Sequence, residues 1–81
     1  MAYRDIYLIK DLSRMTGLSI YTIKYYLNMG LVKEVGRSSE TNFRYFDNQT
    51  VDDLKRIIAY KKDNISLAKI FELMKEKSAA T

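Results

Sequence analysis

Gly17-Leu18-Ser19-Ile20-Tyr21-Thr22-Ile23-Lys24-Tyr25-Tyr26-Leu27-Asn28-Met29-Gly30 is a run bracketed by glycines, with a serine two places after the first. Glycine enters left-handed backbone geometry without a Cβ penalty and so commonly follows the last residue of a helix. Serine is a good N-cap, because its hydroxyl accepts a hydrogen bond from an amide of the first turn. The run therefore predicts one helix ending before Gly17, a turn at Leu18-Ser19, and a second helix from Ile20 to about Met29 that Gly30 closes. Upstream, within residues 7–16, Ile9, Leu12 and Met15 are spaced three apart, which predicts the preceding helix with these side chains on one face. Two helices joined by a three- or four-residue turn containing glycine have the helix-turn-helix spacing.

Downstream, Leu31 to Val35 and Phe43 to Phe46 are rich in β-branched and aromatic residues. They flank the polar segment Gly36-Arg37-Ser38-Ser39-Glu40-Thr41-Asn42, a pattern that predicts a β-hairpin with Arg37 at its tip and Arg44 on its return strand. Asp47 then caps a third helix with apolar positions Val51, Leu54, Ile57 and Ile58, ending at Asn64, a residue that tolerates left-handed geometry. Ser66 caps a fourth helix with Leu67, Ile70, Phe71 and Met74 on one face, and Lys75 to Thr81 is expected to fray. The fold class is mainly α with a small β-hairpin: a winged helix-turn-helix with two further helices. One domain is expected over residues 1–77, with a disordered tail at 78–81.

Composition narrows the chemistry. The chain has 81 residues, enough for one small domain. It holds no cysteine and no histidine, which excludes disulfides, thiolate catalysis, Cys/His zinc sites and Ser-His-Asp triads. The acidic residues are scattered, so no metal site and no cofactor are expected. No apolar stretch approaches the roughly 20 residues of a membrane span, and no charged-then-apolar leader opens the sequence, so the expected location is cytoplasmic, with no membrane partner. The net charge is +4, and the excess is uneven: residues 1–46 carry 7 basic and 4 acidic side chains, residues 47–81 carry 7 and 6. This balance points toward nucleic acid.

On the second helix, Ile23, Leu27 and Gly30 share one side. Tyr21, Thr22, Lys24, Tyr25 and Asn28 take the remaining arc, with Tyr26 at its flank. Phenol, hydroxyl, amide and ammonium groups suit a groove lined with phosphates and base edges. A bland alternative is that the tyrosines are half-buried packing residues with wet tips. Three on one helix, after this turn and before this hairpin, favour contact. Wing arginines at 37 and 44 can lie on the DNA backbone or enter a minor groove, against the alternative of edge protection. Lys55, Arg56, Lys61 and Lys62 read by themselves as a solvated face.

Leu18-Ser19-Ile20-Tyr21-Thr22-Ile23-Lys24-Tyr25-Tyr26 followed by Gly30-Leu31-Val32 resembles the recognition-helix signature of the MerR family. Phe43-Arg44-Tyr45-Phe46 resembles its wing strand, and Asn64-Ile65-Ser66-Leu67-Ala68-Lys69-Ile70 its entry to the fourth helix. The three pieces stand in register across about residues 6–74. The resemblance implies a bacterial transcription regulator whose second helix enters the major groove while paired tyrosines and a wing arginine hold the backbone. Those roles fall on Lys24, Tyr25, Tyr26 and Arg44, with a further backbone lysine at Lys61. It also implies pseudo-palindromic sites bound by dimers, through a helix that would begin about where this sequence stops. Lys24 stands in place of the usual arginine, Leu27 where an acid is common, and Phe46 in place of a second wing tyrosine.

The expected function is sequence-specific binding of double-stranded DNA by a non-enzymatic module, with Ser19, Tyr21, Thr22, Lys24, Tyr25, Tyr26, Arg37, Arg44 and Lys61 as contacts. A second copy on pseudo-palindromic or tandem sites is the other expected partner. Two other roles share the fold: an excisionase-like architectural factor of a mobile element, and a winged-helix adaptor that binds a protein partner.

Overall fold

The computed structural model describes residues 6–79. Four helices and one hairpin follow in the order α1 (Ile9–Thr16), α2 (Ile20–Met29), β1 (Gly36–Arg37), β2 (Arg44–Tyr45), α3 (Asn48–Lys62) and α4 (Leu67–Ala79). This is the expected winged helix-turn-helix with two further helices.

Each boundary has a local cause. At the start of α1 the Leu8 amide donates to the Asp11 carboxylate at 2.9 Å, so a side chain three residues on satisfies an otherwise free amide. Ser19 caps α2 by accepting from the Thr22 amide, and Asp47 caps α3 by accepting from the Gln49 amide. Gly17 and Gly30 end their helices at φ +82° and +87°, angles that would strain a residue with a Cβ. Asn64 does the same for α3 at φ 62°, and there the Ile65 amide reaches back to the Tyr60 carbonyl at 3.1 Å. Ser66 accepts from the Lys69 amide at 3.3 Å at the head of α4.

Helix α1 packs on α2 and α3, and α3 packs on α4. Leu12, Ile23, Tyr26, Leu31, Val32, Phe46, Val51, Leu54, Ile57 and Ile70 form the buried core. Thr50 is buried among them, and its hydroxyl is satisfied by the Lys33 carbonyl at 3.2 Å. Phe46 is fully buried, a setting in which a tyrosine hydroxyl would need a partner.

The hairpin departs from expectation in three ways. Its paired strands are two residues each, with Gly36 opposite Tyr45 and Arg37 opposite Arg44. Leu31 and Val32, expected on the outgoing strand, instead leave α2 and plunge into the core. Arg37 lies in the ladder, not at the tip, and the turn is closed by the Ser38 amide on the Phe43 carbonyl at 2.9 Å. Beyond β2, Phe46 and Tyr7 exchange two backbone hydrogen bonds of 2.8 Å, which stitches the segment before α1 to the base of the wing. Tyr7, expected in the first helix, is thus extended.

Met15 is also corrected: it is 45% exposed and does not share the buried face with Leu12. Steps of three residues fall about 60° behind a helix turn each time, so two steps carry Met15 roughly 120° away from Ile9. The half-buried Ser13 and Thr16 complete the inner face instead. At the other end, α4 runs to Ala79, two residues past the expected domain end at 77, and residues 80–81 lie outside the described ones.

Candidate nucleic-acid interface

The outer face of α2 follows from its register. Taking about 100° per residue from Ile23, Lys24, Asn28, Tyr21 and Tyr25 fall between roughly 100° and 200°, opposite the core. All four are exposed, Tyr21 by 82% and Tyr25 by 48%. The stripe carries two phenols, an amide and an ammonium, and no acidic residue stands in the first turn of the helix. Nothing on α2 therefore opposes the positive N-terminal end of its dipole.

Ser19 and Thr22 belong to the cap. The Ser19 oxygen accepts from the Thr22 amide at 3.0 Å, and its hydroxyl donates to the Thr22 hydroxyl oxygen at 2.9 Å. Ser19 is thus the cap of α2 and is itself exposed. Thr22 accepts the Ser19 proton and is half-buried.

Tyr26 is the larger correction. Expected at the flank of the outward arc, it is 5% exposed and belongs to the core. It follows Ile23 by three residues, so it lies about 60° from the helix's innermost position, on the buried side. Among the described residues no side-chain oxygen or nitrogen is buried without a hydrogen-bond partner, so the phenol tip opens at the surface while the ring is covered. Burial pushes its pKa above the ordinary 10.0, with a second push from Tyr25, whose ring centroid is 6.1 Å away at a 45° tilt.

The wing gathers charge around one acid. Arg37 and Arg44 are partners across the hairpin. Nε of Arg37 lies 2.8 Å from Oε2 of Glu34, and Nε of Arg44 lies 3.0 Å from Oε1 of the same carboxylate. Glu34 is a functional-site residue that the sequence does not single out. Local spacing points elsewhere, because Glu40 lies three residues from Arg37 and four from Arg44, whereas Glu34 is ten residues from Arg44. Lys61 is exposed in the last turn of α3 beside Lys62, and no side-chain hydrogen bond or ion pair ties it to α2 or to the wing among the described residues. The structure thus brings Tyr21, Thr22, Lys24 and Tyr25 together on α2 and joins Arg37 with Arg44 through Glu34, while Lys61 stands on α3. Among the described residues no group of three or more acidic side chains could hold a metal ion, and no helix is long and apolar enough to cross a membrane.

A capped second helix with a polar outer stripe, followed by a short hairpin bearing arginines, defines a winged helix-turn-helix module. The chain belongs to the MerR HTH family of regulatory proteins, whose family model matches residues 7–77. It is 33% identical over 75 residues to the HTH-type transcriptional regulator CueR of Bacillus subtilis (strain 168), a match covering 86% of this chain and 51% of that protein. It therefore spans about half the length of the curated relative it matches. Its fold is similar to that of HiNmlR, a MerR family regulator lacking the sensor domain, crystallised bound to promoter DNA. There the TM-score is 0.84 at 23% identity, over 95% of this chain and 58% of that one. The family is one of regulators, not of enzymes.

Proposed function

We propose that this chain is a sequence-specific binder of double-stranded DNA acting in transcriptional regulation, with α2 in the major groove and the wing on the backbone or minor groove. The observation that carries this reading is the exposed stripe of Tyr21, Lys24, Tyr25 and Asn28 on a helix whose opposite side is buried in the core. A recognition helix presents such a face to base edges from its N-terminal half while the flanking elements hold phosphates. Membership of a family of HTH regulators and the promoter DNA held by the fold's structural neighbour support it.

Roles divide by chemistry. Tyr21, Thr22 and Lys24 sit in the helix half that would meet base edges. Tyr25, the tip of Tyr26, Arg37, Arg44 and Lys61 would meet phosphates. Lys24 would act as a point charge and not as a planar fork, so it would discriminate bases less sharply than an arginine. A single module of this kind buries about 600–1,000 Å² on DNA, so tight binding is expected to use a second copy on an adjacent half-site. The location that fits such a role is the cytoplasm, and no catalytic step is assigned to any residue.

The salt dependence of binding to a random duplex tests the reading. With Arg37, Arg44 and Lys61 on phosphates and Lys24 bringing its charge into the groove, the slope of log affinity against log salt is expected to be roughly −3 to −5. A slope near zero would remove backbone contact and favour a protein partner for the α2 face.

A further inference from the structure

Two guanidinium groups directly opposite each other in a hairpin repel, and a pair so placed needs a counter-ion. Glu34 supplies it, one carboxylate oxygen to each arginine at 2.8 and 3.0 Å. The cluster is open: the side chains of Arg37, Arg44 and Glu34 are 44%, 33% and 30% exposed. A carboxylate shared between two guanidiniums has the geometry and charge that a bridging phosphate would have. The backbone supports this placement. Val35, next in sequence, donates its amide to the Tyr45 carbonyl at 2.9 Å, and Thr50 anchors the Lys33 carbonyl from the core. Glu34 is therefore held between two fixed points of the chain beside the ladder.

We propose that Glu34 is an internal stand-in for a DNA phosphate, which neutralises the wing's paired arginines in the free protein and competes with the DNA backbone for them. This rests on the DNA-binding reading above. Its consequence is quantitative. With Glu34 in place, the three side chains present a net charge of one to the duplex; without it they present two. Glu34 thus lowers affinity for any sequence about equally, since backbone contacts carry no base information, and leaves discrimination to α2.

The test compares the full chain with Glu34→Gln and with Glu40→Gln, which removes the same charge from the exposed wing turn. Each is titrated against a random duplex across a range of salt. Glu34→Gln is expected to bind about three- to tenfold more tightly at low salt, with a slope steeper by about 0.9, the increment for one further phosphate neutralised. Glu40→Gln is expected to give less than half of that change. In an Arg37→Gln/Arg44→Gln background, Glu34→Gln should add no more than Glu40→Gln does. The free Glu34→Gln protein should also melt slightly lower, because the arginines then repel, so stability and affinity move in opposite directions. A merely structural Glu34 would lower both. Equal effects at 34 and 40, or weaker binding by Glu34→Gln, overturn the proposal while leaving DNA binding intact. Failure of every variant and of the parent to bind removes the DNA reading itself and this proposal with it. Should glutamine at 34 unfold the wing, the unsubstituted protein still decides. Its Glu34 carboxyl carbon resonance must shift on adding duplex as the arginines change partner, and an unmoved resonance overturns the proposal.

Discussion

The ring of Tyr45 lies across Gly36, its partner in the hairpin, so closely that a Cβ on Gly36 would stand 2.5 Å from the tyrosine hydroxyl oxygen and 2.8 Å from its ring carbon Cζ. The close atoms belong to the outer end of the Tyr45 side chain, so a Cβ at Gly36 would have to push the ring's tip aside. Gly36→Ala is expected to destabilise the protein by about 1–2 kcal/mol, the cost of forcing the ring aside. In a Tyr45→Ala background the same change should cost close to nothing. Thermal denaturation of the four proteins of that double-mutant cycle measures the coupling.

Ser19 makes a different prediction from the one its sequence motif suggests. Its hydroxyl accepts from the Thr22 amide and donates to the Thr22 hydroxyl. Ser19→Ala is expected to cost about 1 kcal/mol of stability by loss of the cap. For a domain of this size that lowers the melting temperature by roughly 4–8 °C. Affinity measured well below the melting temperature should change little where capping is the residue's whole role, and a marked loss there would make Ser19 a DNA contact as well.

The contrast between Ser19 and Tyr26 shows where the sequence was legible. Boundaries set by single residues were readable, since Ser19, Gly30, Asp47, Asn64 and Ser66 each act on their own or an adjacent turn. The outward stripe of α2 was readable too, apart from its edges. Edges depend on which neighbour covers them: Tyr26 is buried in the core that α1, α2 and α3 build together, and helical spacing gives no warning of how wide that contact is. Met15 failed through accumulated helical drift. Glu34 and the Tyr7–Phe46 bridge were invisible for another reason. Both join segments through tertiary placement, across 10 residues for Glu34 and Arg44 and 39 for Tyr7 and Phe46, and no local pattern encodes such pairings.

Lys24 and Arg44 should separate specificity from positioning. Lys24 lies on the exposed stripe of α2, Arg44 on the return strand of the wing. Arg44→Ala is expected to weaken binding to matched and mismatched duplexes by similar factors, whereas Lys24→Ala should change which bases are preferred. Titrations against a selected site and several single-base variants decide it. A change of preference with Arg44→Ala and none with Lys24→Ala would reverse the two roles.

Tyr26 carries a prediction in pH. Its phenol is neutral when protonated, and burial, reinforced by Tyr25, raises its pKa above 10.0 in the folded protein. Above pH 10 the unfolded chain releases this proton more readily than the native state does. Unfolding there releases protons, so stability falls as pH rises. The contribution is fully present below about pH 10 and is lost as pH climbs through the raised pKa. Tyr26→Phe keeps the ring and removes the proton, so its melting temperature should decline less steeply than the parent's above pH 10. The parent should also show one phenol ionising late in an ultraviolet titration, and that step should vanish in the variant. The same protein tests the phenol tip on DNA. Loss of one hydrogen bond worth about 0.5–1.5 kcal/mol predicts roughly two- to tenfold weaker binding at neutral pH with the fold intact. Tyr26→Ala cannot make that distinction, because emptying an aromatic site in a small core costs about 3–5 kcal/mol and would unfold much of the population. If Tyr26→Phe bound DNA as the parent does, Tyr26 would be a packing residue alone, and the backbone contacts of α2 would rest on Tyr25.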